Sequence, residues 1–114
     1  MAQKRRRQLT NRITPTEPIT PRWDGMAREL WFGNVLVKRF RVPAESQRRI
    51  LTEFEESGWP RCIDDPLPAI DGGDQWRRLK KAIHGLNKSQ ENPLIEFHGN
   101  GTGDGIWWEY IGPK

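Results

Sequence analysis

Apolar and polar positions recur along this chain with two different periods, and the switch between them marks out its elements. Over 74–90, Trp76, Leu79, Ile83 and Leu86 follow one another at spacings of 3, 4 and 3. Residues so spaced fall on one stripe of a helix with 3.6 residues per turn. The opposite side carries Arg77, Lys81, His84 and Lys88 at spacings of 4, 3 and 4, with Arg78 beside them. The pattern predicts a helix over 74–90 that buries one side and offers positive charge and hydrogen-bond donors on the other. Asp71 or Asp74 is the expected cap at its positive end. Pro93 stops it, because the residue ahead of a proline is pushed out of helical angles.

A period of two then takes over. Ile95 and Phe97 share one face of a strand over 94–98, as do Ile106, Trp108 and Tyr110 over 106–110. These residues are expected to cover the helices, with Glu96, Trp107 and Glu109 outward. Between the two strands, Gly99, Gly101, Gly103 and Gly105 alternate with other residues, which predicts a flexible hairpin tip. A glycine-rich phosphate cradle leads into a helix N-terminus, whereas a strand follows here, so a nucleotide loop is excluded. The tip carries Asp104 and neither lysine nor arginine.

Upstream, aromatic and β-branched residues flank Gly33-Asn34 and predict a hairpin over 29–40. Leu30 and Phe32 share a face opposite Trp31. Val35, Val37 and Arg39 share another, opposite Leu36, Lys38 and Phe40. A helix follows, with Pro43 suited to its first turn, Ala44, Ile50, Leu51 and Phe54 as its apolar side, and Gly58 as its stop. Arg48, Arg49, Glu53, Glu55 and Glu56 read as its solvated face. Prolines and glycines interrupt 59–73, leaving room for one short helical turn pinned by Leu67 and Ile70. Asp64-Asp65 in that stretch reads as part of a solvated turn rather than a metal or acid–base pair.

Charge sharpens this picture. The 114 residues suit one domain with a modest core. Residues 1–22 hold six basic side chains, among them the run Lys4, Arg5, Arg6 and Arg7, against Glu17 alone. Pro15, Pro18 and Pro21 favour extended backbone there, and few apolar residues are available to bury, which predicts a disordered basic arm. The rest of the chain holds 13 basic and 14 acidic residues, so its cations matter only where they cluster. An arm of this kind contributes salt-dependent affinity for phosphates, or simply solubility. No apolar run approaches the ~18 residues of a membrane span. No apolar stretch follows the first cations, and Cys62 is alone, so a cytoplasmic protein without an internal disulfide is expected. His84, His98 and Cys62 show no metal-ligand spacing and no nucleophile–base set is visible, so neither a cofactor nor enzymatic activity is expected.

The order hairpin, helix, loop, helix, hairpin resembles the winged helix-turn-helix effector domain at the C-terminus of response-regulator transcription factors. The segment Arg77-Arg78-Leu79-Lys80-Lys81-Ala82-Ile83-His84-Gly85-Leu86-Asn87-Lys88 resembles that family's recognition helix. Leu94-Ile95-Glu96-Phe97-His98-Gly99-Asn100-Gly101 resembles its first wing strand and glycine turn. The likeness spans roughly residues 30–110. It implies an α+β winged-helix fold over 23–114, with an N-terminal β-hairpin, helices and a C-terminal wing hairpin, preceded by the arm 1–22. It implies double-stranded DNA as partner and a role as transcriptional regulator or accessory factor. Arg77, Arg78, Lys81, His84 and Lys88 would then face the groove or its phosphates, and Lys4, Arg5, Arg6 and Arg7 would follow the backbone. Two rivals remain open at this level. One is a protein-interaction adaptor on the same scaffold, using Trp31 and Trp107 as outward anchors. The other is RNA, which basic helices and stacking tryptophans also suit.

Overall fold

The computed structural model describes residues 19–68 and 74–113. Within them the chain is an α+β fold of two helices and two three-stranded antiparallel sheets. Strands β1 (Pro21–Asp24), β2 (Glu29–Phe32) and β3 (Val35–Arg39) form the first sheet in that order. Helix α1 (Glu45–Glu56), strand β4 (Cys62–Asp64) and helix α2 (Gln75–Asn87) follow. Strands β5 (Ile95–Gly99) and β6 (Gly105–Tyr110) complete the second sheet, ordered β4-β6-β5.

The expected hairpin at 29–40 is present, with Gly33 at φ +62° supplying the turn. A third strand joins it. Pro21 and Arg22, expected in the arm, open β1, and Trp23 is buried there. A register shift between Leu30 and Trp31 breaks the strict alternation expected of β3. Val37 and Lys38 are consequently both buried, although they are neighbours in the strand.

Helix α1 begins after Ala44, so Pro43 stands just outside it rather than in its first turn. Its end is set by Gly58 at φ +80° and Trp59 at φ +58°. Gly58 N–H donates to the Glu55 carbonyl and Trp59 N–H to the Phe54 carbonyl at 2.8 Å. This is the paired bonding that satisfies orphan carbonyls at a helix terminus, and the Trp59 ring stacks on Phe54 at 4.9 Å to seal it. One oxygen of Glu55 accepts from both the Trp59 indole and the Trp23 amide at 2.8 Å each. Glu55 therefore ties β1 to α1 while remaining on the exposed face of the helix.

In the described part of the segment after Trp59, residues 60–68, the chain forms β4 and no helical turn. Asp65 accepts from the Leu67 amide at 2.8 Å and so shapes a local turn that buries Leu67. Ile70 and Asp71 lie outside the described residues. Helix α2 is capped by Asp74, whose side chain accepts from Arg77 N–H at 3.1 Å. It ends at Asn87, three residues before the expected limit. Leu79, Ala82, Ile83 and Leu86 are its buried residues, and they meet Ile50, Leu51 and Phe54 of α1 and Ile95, Phe97 and Ile106 of the second sheet in one core.

Trp76 leaves the stripe expected of it and is 42% exposed. At ~100° per residue it sits about 70° from the centre of the buried stripe, on the side facing the β5–β6 hairpin. Its ring lies over Gly99 and Gly103, where a Cβ would come within 3.0 and 3.7 Å of it. Tyr110 also differs from expectation: 39% exposed, it stacks on Phe32 at 4.8 Å instead of covering the helices.

Candidate nucleic-acid interface

Capping by Asp74 and burial of the Leu79–Leu86 stripe fix which side of α2 faces outward. Arg77, Lys81, His84 and Lys88 fall within an arc of about 60° at ~100° per residue, diametrically opposite that stripe. All four are exposed. Arg77 stands 3.8 Å from the Asp74 carboxylate in an open, weak pair. Among the described residues, no carboxylate pairs with Lys81 or Lys88.

Arg78 is the exception. It is half-buried on the flank that faces α1, and its guanidinium donates to the Pro68 carbonyl. It borders a crevice with Ala44, Gln47 and Lys81 rather than the outer arc. Lys4, Arg5, Arg6 and Arg7 lie outside the described residues.

The outer arc opens onto a groove between the C-terminal half of α2 and the segment that leaves β3. Lys81, His84 and Lys88 line one wall, and Lys38, Arg39 and Arg41 the other, with Glu91 as the acidic member. These cations are not equivalent. Arg39 is held by Glu29 through two hydrogen bonds of 2.7 and 3.0 Å. Lys38, only 8% exposed, donates its ammonium to the carbonyls of Gly85 and Lys88. It thus closes the negative end of α2 with a cation. Burial, and then the neighbouring Lys88 charge, hold its pKa below the ordinary lysine value. Arg41 is exposed and pairs with no carboxylate among the described residues. It joins Lys81 and Lys88 as a cation with its charge turned outward. Periodicity on α2 could not reveal Arg41, since it belongs to a loop; the run Lys38-Arg39-Phe40-Arg41 is its only trace in the sequence.

The β5–β6 hairpin beside α2 is clamped to it. The Asn87 side chain accepts from Phe97 N–H at 2.8 Å and donates to the Phe97 carbonyl at 3.0 Å. Gln90 donates to the Ile95 carbonyl at 2.8 Å. At the hairpin tip, Asp104 accepts from Asn100 and the Thr102 hydroxyl. The Thr102 bond first, and the Asn100 bond after it, hold the Asp104 carboxyl below its usual pKa. The tip is therefore organised by its own polar groups and keeps a negative charge at neutral pH.

Trp31 and Trp107, the expected outward tryptophans, are half-buried, each with one neighbour on its ring. Arg22 lies over the Trp31 ring at 5.6 Å, and Trp107 stacks on His98 at 4.4 Å. No helix among the described residues is long and apolar enough to cross a membrane. The chain matches no family model, no curated protein and no solved structure.

Proposed function

We propose that this chain is a small DNA-binding protein of winged-helix type, a regulator or an accessory factor, which sets the outer arc of α2 against duplex DNA. What supports the reading is the arc itself: Arg77, Lys81, His84 and Lys88 exposed on one side of a capped helix, with Arg41 across the groove. The strand order β4-β6-β5, with α2 leading directly into the β5–β6 hairpin, suits a helix that enters a groove while a hairpin lies alongside. Lys81, Lys88 and Arg41 would neutralise phosphates, and Arg77 and His84 reach towards base edges or sugar–phosphate oxygens. The hairpin tip, carrying Asp104, contributes no cation and would stand away from the phosphates. Residues 1–18 add a second, sequence-independent source of positive charge.

The test is amide chemical-shift mapping with a random duplex. Perturbations concentrated at Arg41, Arg77, Lys81, His84 and Lys88 are expected. Perturbations confined to the first 18 residues would reduce α2 to a solvated face. The rival adaptor reading is favoured by a different surface, where Tyr110 and Ile111 are exposed beside Phe32. It predicts no response of α2 to DNA at all.

A further inference from the structure

The geometry points to a divalent-cation site on the outer face of the β5–β6 hairpin, built from Glu96, His98 and Glu109. Glu96 and His98 are two apart on β5 and so share a face. Strand pairing then sets Glu109 of β6 directly opposite Glu96, and Trp107 opposite His98. His98 Nε2 lies 2.8 Å from Glu109 Oε2 and 3.3 Å from Glu96 Oε1. One ligand atom from each of the three residues lies within 4.8 Å of the others. Donors around a tetrahedral ion at ~2.0–2.2 Å stand about 3.3–3.6 Å apart, so the His98–Glu96 spacing already suits one and a small opening between His98 and Glu109 completes three corners.

Two further features favour a cation here over a bare cluster. Like charges directly across a strand pair oppose sheet formation, and Glu96 faces Glu109 in that way. No lysine or arginine pairs with either carboxylate among the described residues. A single imidazole nitrogen meets both acids, and one proton on it serves two acceptors poorly, whereas a dication satisfies all three donors together. The ring is also held in place: it stacks on Trp107 with an interplanar angle of 22°. Its orientation is thus fixed before any ion arrives.

One imidazole and two carboxylates form a mixed nitrogen–oxygen set. That set suits a borderline ion of the Zn²⁺, Co²⁺ or Ni²⁺ kind, rather than Mg²⁺ or Ca²⁺, which prefer oxygen throughout. Three protein ligands on a half-open face leave a position for water. The site shares no residue with the α2 groove, so it stands or falls independently of DNA binding.

The experiment is isothermal titration of the full chain with Zn²⁺ alone, with Co²⁺ absorption to report the ligand field. Wild type is compared with Glu96→Gln, Glu109→Gln, His98→Ala and, as a control for thiolate binding, Cys62→Ser. We expect one ion per chain in wild type and in Cys62→Ser, and at least a tenfold weaker affinity in each of the other three. The two glutamine variants change half-exposed side chains and answer the question even if His98→Ala folds poorly. Absence of binding to wild type, loss of binding in Cys62→Ser, or unchanged binding in both glutamine variants would overturn the site.

Discussion

The contact most open to a decisive perturbation is the clamp by which Asn87 joins α2 to β5. Phe97 is 1% exposed, and both its backbone N–H and its carbonyl bond to the Asn87 side chain, at 2.8 and 3.0 Å. As the edge of its sheet, β5 has no further strand to take up these groups. Asn87→Ala therefore orphans one buried donor and one buried acceptor together. Each unsatisfied buried group costs about 1–3 kcal/mol, which gives a loss of about 2–5 kcal/mol once partial access of water is allowed for. A folded region of this size has roughly 5–13 kcal/mol in total. At about 4–8 °C per kcal/mol, the midpoint of thermal unfolding should fall by at least about 8 °C. Urea unfolding followed by tryptophan fluorescence measures the loss directly. Asn87→Asp, of the same size, keeps the acceptor for Phe97 N–H but sets an oxygen against the Phe97 carbonyl, and should not rescue. A loss below about 0.5 kcal/mol for Asn87→Ala, the level of an ordinary surface change, would refute the clamp and leave apolar packing and the Gln90 bonds to Leu86 and Ile95 to join α2 to β5.

Further predictions concern neighbouring contacts. Lys38→Met should destabilise by about 2–4 kcal/mol, since it removes the cation from two terminal carbonyls of α2. The pH dependence of that difference has a definite sign. Lys38 has a lowered pKa in the folded chain, so the unfolded chain binds more protons in the window between that value and the ordinary 10.5. Wild type should therefore gain stability relative to Lys38→Met as pH rises through that window, as read from urea titrations at a series of alkaline pH values. Glu55→Ala should cost about 1–3 kcal/mol by leaving the Trp23 amide and the Trp59 indole short of their shared acceptor, and should speed amide exchange at Trp23. Trp76→Ala should leave the core intact and cost about 1 kcal/mol, while raising hydrogen exchange across 99–105, because the ring rests on Gly99 and Gly103.

Helix α2 and the final hairpin were legible because their periodicity is long and strong, and the buried sets Leu79/Ile83/Leu86 and Ile95/Phe97 follow it. Strands β1 and β4 were not. They span four and three residues and lie among prolines; β4 owes its order to Ile106 and Trp107 far along the chain, and β1, though paired with nearby Leu30 and Trp31, is tied down by Thr52 and Glu55 of α1. Lys38 reads only as a strand residue sharing a face with Leu36 and Phe40; that it lies buried under the end of α2 depends on carbonyls 47 and 50 residues along the chain. Trp76 reads as core because spacing alone does not distinguish the edge of a stripe from its centre. Arg77, Lys81 and His84 could be read directly, since α2 carries them, and Lys88 follows at its C-cap. Arg41 could not, and neither could the grouping of Glu96 and His98 with Glu109, which depends on the register between two strands.

The central claim, that α2 and not merely the basic N-terminal segment engages DNA, is tested most directly by the salt dependence of binding. Fluorescence anisotropy on a labelled random duplex would compare the full chain with its Arg41→Gln/Lys81→Gln/Lys88→Gln variant. Each phosphate contact contributes about 0.9 to the slope of log K against log salt, so losing three should reduce the slope by about 2.7. A reduction of about that size, with folding unchanged, supports the groove as the binding surface. An unchanged slope would contradict it and leave Lys4, Arg5, Arg6 and Arg7 to account for whatever binding is seen.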